Sequence, residues 1–283
     1  MSGQTQTIRM IADLRRQVQD WRSAGDRVAL VPTMGALHEG HLSLMQLAQQ
    51  KADRLVVSIF VNPTQFGPNE DFEAYPRVED DDIEHLNNLG ADVAFAPAVN
   101  EMYPAGFATE VRVTGLTDVL CGAHRPGHFD GVTQIVAKLL LQCLPDIAIF
   151  GEKDYQQLQV IRRMTADLNI PVDILGGPIV READGLALSS RNRYLSEHQR
   201  HIAAQFPREL KAVRDRVLAG GDPIAACDTA KLALSAAGFD AIDYVEVRHT
   251  DTLDLAEPNA RPARVFGAAR IGKTRLIDNW AVE

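Results

Sequence analysis

The stretch VALVPTMGALHEGH, residues 28–41, contains the turn around which the rest of the chain is organised. It opens on an apolar run typical of a buried strand, and we expect Pro32 to end this strand because proline cannot donate to a sheet. A glycine-bearing loop follows, and apolar spacing then predicts a helix over residues 42–52. A strand, a loop and a helix start in this order place backbone N–H groups and the positive helix end at one edge of a sheet. His38 and His41 therefore occur at a position suited to bind an anion such as a polyphosphate.

The composition predicts a globular protein of one or two domains. The chain has 283 residues, of which 46% are hydrophobic and 24% charged. A net charge of −9 argues against a broad nucleic-acid surface and against a basic membrane-binding face. Residues 1–7 are polar and unlike a signal peptide, and no apolar run approaches the roughly 20 residues that span a bilayer. The three cysteines are far apart and suggest no disulfide framework, so we expect a cytoplasmic protein.

Strands and helices alternate along the first two thirds of the sequence. This alternation predicts an α/β fold with a Rossmann-like parallel sheet and helices on both faces. The predicted strands cover residues 28–31, 55–61, 93–96, 146–150 and 172–175, with a small extra strand at 110–113. The predicted helices cover residues 11–24, 42–52, 79–89, 132–144 and 155–168.

A second strand–loop–helix turn repeats the plan of the first. Residues 146–150 form an apolar run that leads directly into GEKD at 151–154 and then into a helix. Loops that follow the carboxyl ends of parallel strands converge on one ligand crevice. We therefore expect the histidine turn, Gln65 and the GEKD turn to face one cleft.

The last third predicts a smaller C-terminal α+β domain. Gly176, Gly177 and Pro178 mark the expected boundary, which divides the chain into domains of residues 1–178 and 179–283. Helices are predicted over residues 196–218, with Pro207 kinking or splitting the helix, and over 223–237. Strands are predicted at residues 242–247, 264–266 and 275–277.

One phosphate-loop pattern is rejected on its context. GAARIGKT at residues 267–274 fits G-x-x-x-x-G-K-T, but that motif needs a helix after the threonine. Residues 275–280 instead resemble a strand, so we expect no nucleotide site there.

Several polar groups admit both an ordinary and a functional interpretation. Gln65 is either a solvated loop residue or a donor and acceptor for a hydroxyl and a carboxylate. Lys153 and Asp154 form either a surface pair or part of a phosphate cradle. Residues 189–191, two serines and an arginine, are either a solvated linker or a site for phosphate oxygens.

Two possible metal sites are given little weight. A solvated helix start is the favoured interpretation of the acidic run Asp80, Asp81 and Asp82, and contact with magnesium is the lesser alternative. Zinc at the histidine pair is not expected, because the string is not H-E-x-x-H and no third ligand is evident.

PTMGALHEGH at residues 32–41 is similar to the His-x-Gly-His signature of nucleotidylyl transferases and class I aminoacyl-tRNA synthetases. Together with four further segments it resembles the pantoate–β-alanine ligase family, strongly over about residues 10–194 and in outline beyond. Those segments are NPTQFG at 62–67, RPGHFDG at 125–131, GEKDYQQ at 151–157 and LSSR at 188–191. Leu188 departs from the methionine commoner in the family, which should matter little if this residue contributes mainly backbone contacts.

The resemblance implies ATP as a substrate, Mg²⁺ as a cofactor and His41 as the catalytic residue that donates to the phosphates. It also implies that Gln65 contacts pantoate and β-alanine and that Gln157 contacts pantoate. Residues 125–131 are expected near the pantoate cleft, without an assigned role. The ATP-binding residues implied are Met34, Gly35, Ala36, Leu37, His38, Glu39, Gly40, His41, Gly151, Glu152, Lys153, Asp154, Val180, Leu188, Ser189, Ser190 and Arg191.

The implied reaction joins pantoate to β-alanine through a pantoyl adenylate and releases pyrophosphate and AMP. The implied assembly is a homodimer formed through the N-terminal domain, and the Arg191 loop and small domain are candidate lids. One alternative is a nucleotidylyl transferase of the same superfamily that acts on another small substrate. The other is a nucleotide-binding protein without turnover, against which His41, Lys153 and Arg191 argue.

Overall fold

The structure, a computed structural model, describes residues 4–68 and 70–283. Residues 1–3 of the polar N-terminal segment and Asn69 of the loop at 62–71 lie outside the described residues. The chain divides into two compact units, which are described separately. The first unit comprises Met1–Thr114, Arg125–Glu152 and Gln157–Pro178. The second comprises Gly115–His124, Lys153–Gln156 and Ile179–Glu283.

A parallel sheet forms the centre of the first unit. Among the described residues it has six strands, in the order β1-β4-β3-β2-β5-β6. The strands are β1 (Gln6–Ile8), β2 (Val28–Thr33), β3 (Arg54–Ile59), β4 (Val93–Phe95), β5 (Ile147–Gly151) and β6 (Asp173–Gly177). The helices that connect them are α1 (Ile11–Ala24), α2 (Glu39–Gln49), α3 (Glu79–Leu89), α4 (Val99–Met102), α5 (Cys121–His124), α6 (His128–Cys143) and α7 (Tyr155–Asp167), of which α5 and the start of α7 belong to the second unit.

The strand order reverses between β2 and β5, inside the sheet. These two strands are direct neighbours, with Leu30 paired to Ala148. From this point the sheet grows outward through β3 on one side and β6 on the other. In open parallel sheets, ligands bind outside the carboxyl ends of the strands at such a switch point.

Helices cover both faces of the sheet. Ala29 and Val31 of β2 lie in a buried cluster with Leu44 and Met45 of α2. Leu30, between them in the strand, points to the opposite face because side chains alternate along a strand. On that face α1 and α6 contact each other and β2.

Pro32 lies inside strand β2, so the prediction that it ends the strand is wrong. The β2–β3 pairing continues through Pro32 to Thr33, whereas the β2–β5 pairing ends at Leu30. The Thr33 carbonyl accepts the N–H of Phe60, so the backbone of Pro32, one residue earlier, faces away from β3. Its missing N–H therefore costs no sheet hydrogen bond, as at the edge positions where proline is tolerated.

Two helices begin earlier than predicted. Helix α2 begins at Glu39 rather than 42, because His38 caps its first turn. Helix α6 begins at His128 rather than 132, so residues 128–131 of the segment predicted as a loop at 125–131 are helical. Gly127, with φ of 80°, supplies the turn into α6.

Residues 110–113 form no strand, contrary to the prediction. The N–H of Val111 donates to the Gln134 side chain and its carbonyl accepts from Thr133. Side chains of α6 therefore take the backbone groups that a neighbouring strand would need.

The second unit contains a three-stranded antiparallel sheet within its described residues, in the order β7-β8-β9. Its strands are β7 (Ala241–His249), β8 (Ala263–Ile271) and β9 (Thr274–Val282). Its further helices are α8 (Glu197–Ala203), α9 (Gln205–Leu218) and α10 (Pro223–Ala237). Phe206 and Leu210 of α9 pack with Val245 and Val265 of the sheet in one buried cluster.

Pro207 and the rejected phosphate loop both behave as the sequence predicts. The helix predicted over 196–218 is split at Ala204, three residues before Pro207. Residues 267–274 lie in the β8–β9 hairpin, which turns at Gly272 with φ of 56°. A strand follows Thr274, so the helix that a phosphate loop requires does not occur in this described segment.

The predicted α/β class with a smaller C-terminal α+β part is confirmed. The domain boundary at residue 178 stays a prediction, since segments 115–124 and 153–156 also pack with residues 179–283. Every helix within residues 4–68 and 70–283 is too short or too polar to cross a membrane.

Candidate active site

The two histidines stand side by side where α2 begins. His38 is the N-cap of the helix, and its Nδ1 accepts the N–H of Gly40 at 3.1 Å. The His38 and His41 rings lie 4.1 Å apart, centre to centre. A neutral His38 that accepts at Nδ1 carries its proton on Nε2, which is then a donor. Two imidazoles and the first-turn N–H groups thus adjoin the switch point between β2 and β5.

The loop before the histidines is held by a buried carboxylate. Asp82 of α3 accepts the N–H of Ala36 at 2.9 Å and of Leu37 at 2.7 Å, and it is 1% exposed. Ala36 and Gly35 both have left-handed backbones, with φ of 51° and 77°. A Cβ on Gly35 would lie 2.7 Å from Asp82 Oδ2, so glycine allows the carboxylate to approach.

The expectation for the acidic run is therefore wrong at Asp82. Asp80 and Asp81 are exposed as predicted, but Asp82 is buried. Burial raises the pKa of the Asp82 carboxyl, and the two backbone N–H groups oppose that shift. Sequence analysis missed this role, although Asp82 lies one helical turn before the buried Leu86, which indicates an inward-facing position.

Gln65 lies beside the histidine-bearing stretch. Its Nε2 lies 3.2 Å from Met34 Sδ, and its Oε1 accepts from Nδ2 of the buried Asn62 at 3.0 Å. The same Asn62 amide donates to the carbonyl of Gly131 at 3.0 Å. A Cβ on Gly131 would lie 2.3 Å from the Thr64 carbonyl oxygen. The turn that carries Gln65 is therefore packed directly against the start of α6.

The segment at 125–131, to which the sequence assigned no role, supports the Gln65 turn. His128 Nδ1 lies 2.8 Å from the Gln65 carbonyl oxygen, and its Nε2 lies 2.9 Å from an Arg125 nitrogen. Since arginine only donates, Nδ1 of a neutral His128 donates to Gln65. Arg125 also binds Glu70 through two hydrogen bonds of 2.6 Å. Burial opposes ionisation of Glu70, but Arg125 outweighs it and lowers the pKa to about 2.

The remaining candidates of the first unit follow β5. Gly151 ends the strand, Glu152 begins a short 3-10 turn, and Gln157 lies in the first turn of α7. Because β5 adjoins β2, Gly151 and the histidine turn follow neighbouring carboxyl ends. The first unit thus groups residues 34–41, Gln65 and Gly151 along one edge of the sheet.

Lys153 and Asp154 belong to the second unit. The Lys153 ammonium lies 3.7 Å from the Asp154 carboxylate, and the two side chains are 20% and 47% exposed. Such a loose, partly exposed pair contributes little to stability. The Lys153 carbonyl accepts the Nδ2–H of Asn279 at 3.0 Å, a partner that sequence analysis did not find.

The serine–arginine segment also lies in the second unit. The N–H of Leu188 donates to the Val180 carbonyl at 3.0 Å, so these two candidate residues are neighbours. Ser189 caps a 3-10 turn over Ser190–Tyr194, and its Oγ accepts the N–H of Arg191. The structure therefore groups Val180 with residues 188–191, as a binding segment requires. The roles of these residues stay predictions.

The fold and the histidine turn define a class of protein. A parallel α/β sheet with a His-x-Gly-His turn at its switch point is an arrangement suited to bind a nucleotide phosphate. The model of the pantoate–β-alanine ligase family matches residues 6–281, and the chain belongs to this family.

Relatives that match the chain over its full length support this family assignment. A pantothenate synthetase of Paramagnetospirillum magneticum is 57% identical over 283 residues, 100% of both chains. One of Sphingopyxis alaskensis is 56% identical over 277 residues, 98% of this chain and 99% of the relative. The crystal structure of pantothenate synthetase from Thermus thermophilus has 46% identity and a TM-score of 0.93, covering 98% of this chain and 99% of that one. A pantoate–β-alanine ligase from Francisella tularensis, complexed with β-γ ATP and β-alanine, has 33% identity and a TM-score of 0.84 over 98% of both.

Proposed function

We propose that the chain is an ATP-dependent ligase that condenses (R)-pantoate with β-alanine to give pantothenate, AMP and pyrophosphate. The observation that carries this proposal is the full-length match to the ligase family together with the paired histidines at the switch point. The ATP and β-alanine complex of the Francisella tularensis relative supports two of the three substrates.

The reaction proceeds in two steps. A carboxylate oxygen of pantoate attacks the α-phosphorus of ATP, the bond from that phosphorus to the bridging oxygen breaks, and pyrophosphate leaves. The amine of β-alanine then attacks the acyl carbon of the pantoyl adenylate. The C–O bond to AMP breaks and the nitrogen loses a proton. Adenylation is needed because a free carboxylate is a poor acyl donor.

The histidine turn is assigned to the phosphates. Negative charge builds on the leaving pyrophosphate. Hydrogen-bond donors stabilise this charge most when they already point at the oxygens on which it develops. His41 is the proposed catalytic donor, and Nε2 of His38 adds a second donor because its Nδ1 is engaged by Gly40. Asp82 keeps the preceding loop in place without touching a substrate.

Gln65 and Gln157 are assigned to pantoate, and Gln65 also to β-alanine. The Gln65 amide is oriented on both sides, since Asn62 donates to its oxygen and Met34 lies beside its nitrogen. One N–H of this amide stays available to donate to a hydroxyl or a carboxylate. Because the amide is already fixed, it can orient the pantoate carboxylate toward the α-phosphorus. Such alignment of the reacting groups accelerates the reaction.

The cationic residues of the second unit are assigned to ATP. Lys153 and Arg191 supply positive charge for phosphate oxygens, and Ser189 and Ser190 supply hydroxyl and backbone donors. Among the described residues no group of three or more His, Cys, Asp or Glu is arranged to hold a metal. In nucleotide sites Mg²⁺ keeps several waters and is bound largely by the phosphates of the substrate rather than by an all-protein cage. When bound, Mg²⁺ would share the neutralisation of phosphate charge.

The test is an assay of AMP and pyrophosphate with ATP and pantoate, with and without β-alanine. We expect continuous AMP release only when all three substrates are present. A nucleotidylyl transferase for another substrate would release neither AMP nor pyrophosphate with these substrates, because the acceptor of its nucleotidyl group is missing. AMP formation independent of pantoate and β-alanine would contradict the proposal.

The homodimer through the N-terminal domain and the cytoplasmic location are also proposals. Both rest on the family resemblance. Light scattering of the purified chain at micromolar concentration tests the dimer, and a mass of one chain contradicts it. Fractionation of cells that express the chain tests its location.

A further inference from the structure

The turn that carries Lys153 is held from the C-terminal sheet. Asn279 of β9 is 2% exposed, and its Nδ2 donates to the Lys153 carbonyl at 3.0 Å. Its Oδ1 accepts from the guanidinium of Arg264 on β8. That guanidinium lies over the ring of Tyr155, 3.9 Å from its centre. The sheet thus holds the turn at two points, the Lys153 carbonyl and the Tyr155 ring.

The neighbouring residue of β9 holds the serine–arginine segment. Asp278 is 3% exposed and binds Arg181 through hydrogen bonds of 2.7 and 2.9 Å. Arg181 also donates to the Asn279 carbonyl at 3.1 Å. Arg181 pairs with Ala187 across the hairpin that leads to residues 188–191. Two consecutive residues of one strand therefore fix both candidate ATP-binding segments of the second unit.

Burial of a polar side chain is unfavourable unless the side chain is hydrogen-bonded, and an apolar residue would avoid this cost. The Asn279 amide satisfies a backbone carbonyl of the Lys153 turn, which belongs to none of the strands of this sheet. Rotation of that peptide plane would redirect the long Lys153 side chain. Lysine has a flexible stem of four carbons, so its ammonium is well placed only where its backbone is fixed.

We propose that Asn279 is a positioning residue that aims Lys153 at the ATP phosphates. The inference rests on the proposed function, which assigns Lys153 to ATP. In this proposal Asn279 does not touch substrate, and it acts through its hydrogen bond to the Lys153 carbonyl. Misplacement of a catalytic group by about 1 Å can lower a rate about 100-fold, so a distant hydrogen bond can matter this much.

A double-mutant cycle tests the proposal. In the otherwise unchanged chain, Asn279→Ala should lower kcat/KM for ATP by about 10- to 100-fold, since the Lys153 carbonyl loses its partner. In a Lys153→Ala background the same change should lower it by less than about 3-fold, because no ammonium is left to aim. Asn279→Asp keeps the shape and the acceptor for Arg264 but removes the donor to the Lys153 carbonyl. It should therefore lower kcat/KM for ATP in the same way as Asn279→Ala does.

Ile277→Ala is the matched control. Ile277 lies two residues before Asn279 and thus on the same face of β9, but its side chain has no hydrogen-bonding group. It should change kcat/KM for ATP by less than about 3-fold in either background. Circular dichroism confirms that each variant is folded, and Asn279→Asp replaces Asn279→Ala in the cycle if the latter unfolds.

The outcomes separate this inference from the proposed function. Equal losses from Asn279→Ala in both backgrounds would mean that Asn279 acts generally on the fold, which overturns the inference while ligase activity stands. An unaltered kcat/KM in Lys153→Ala would remove Lys153 from ATP binding, and the inference with it. Absence of pantothenate formation by the unmodified chain would overturn the proposed function itself.

Discussion

The buried carboxylate of Asp82 accepts the N–H of Leu37 at 2.7 Å, across 45 residues of sequence. This bond and its companion to Ala36 hold the loop that leads into the histidine turn, in which Gly35 and Ala36 have left-handed backbones. The first turn of α3 therefore holds the loop that directly precedes α2. The paired imidazoles therefore follow a loop that a distant carboxylate holds.

Asp82→Asn should destabilise the chain and lower its activity. The amide nitrogen would face a backbone N–H, so one donor loses its acceptor, at a cost of about 1–3 kcal/mol in the free energy of unfolding. We expect kcat/KM for ATP to fall about 10- to 100-fold as the loop shifts. Denaturant unfolding and steady-state kinetics measure both effects. Asp81→Asn, at an exposed neighbour, should stay within about 0.5 kcal/mol, and equal effects of the two changes would contradict the role of Asp82.

Gly35→Ala should be more damaging than alanine at an unobstructed glycine. Gly106 has φ of 82° and no atom within 4 Å of a built Cβ, so Gly106→Ala should cost about 1 kcal/mol from backbone strain alone. Gly35 has a similar φ, but its Cβ would also meet Asp82 Oδ2 at 2.7 Å. Gly35→Ala should therefore cost about 1–3 kcal/mol more in unfolding free energy and lower kcat. Equal unfolding free energies of the two variants would show that the loop at Gly35 accommodates the added Cβ without cost, which contradicts the prediction.

Glu70 should make stability depend on pH in the acid range. Its folded pKa of about 2 is below the ordinary 4.5, so its contribution is present above about pH 4.5 and is lost as pH falls toward 2. Between about pH 6 and pH 3, the unmodified chain should lose about 2 kcal/mol more unfolding free energy than Glu70→Gln. Urea unfolding at the two pH values measures this difference. Parallel losses in both proteins would show that Arg125 does not hold Glu70 ionised.

His41→Ala should lower turnover about 100- to 1000-fold while the fold is kept, because a preorganised donor to the developing phosphate charge is lost. Its melting temperature and far-ultraviolet spectrum should match those of the unmodified chain. His198→Ala, at an exposed position of α8, is the matched control and should keep full turnover. Near-normal turnover of His41→Ala would remove His41 from the catalytic role.

Much of the fold follows from local signals. Helices α3 and α10 have the bounds that the sequence predicts, because acids begin α3 and Asp222 caps α10 directly before Pro223. The position of Pro32 depends on which neighbouring strand continues past it, which is a property of the whole sheet. The three-residue strand β1 is too short to show a periodic pattern.

In the candidate site, too, local sequence motifs predict some features, whereas others depend on the whole fold. The quoted motifs locate the histidine turn, Gln65 and the Lys153 turn, since each motif is local in sequence. The residues that hold these motifs are distant from them in the chain: Asn279 is 126 residues from Lys153, and His128 is 63 from Gln65. Such supports are recognised only when the fold brings the two partners together.

The transfer of ¹⁸O from pantoate to AMP tests the proposed adenylate most directly. Pantoate labelled in both carboxylate oxygens is incubated with ATP, β-alanine and the enzyme, and the AMP is analysed by mass spectrometry. The account predicts one ¹⁸O in each AMP and the other in pantothenate, because the acyl C–O bond breaks after the carboxylate has attacked phosphorus. Unlabelled AMP formed together with pantothenate would contradict it.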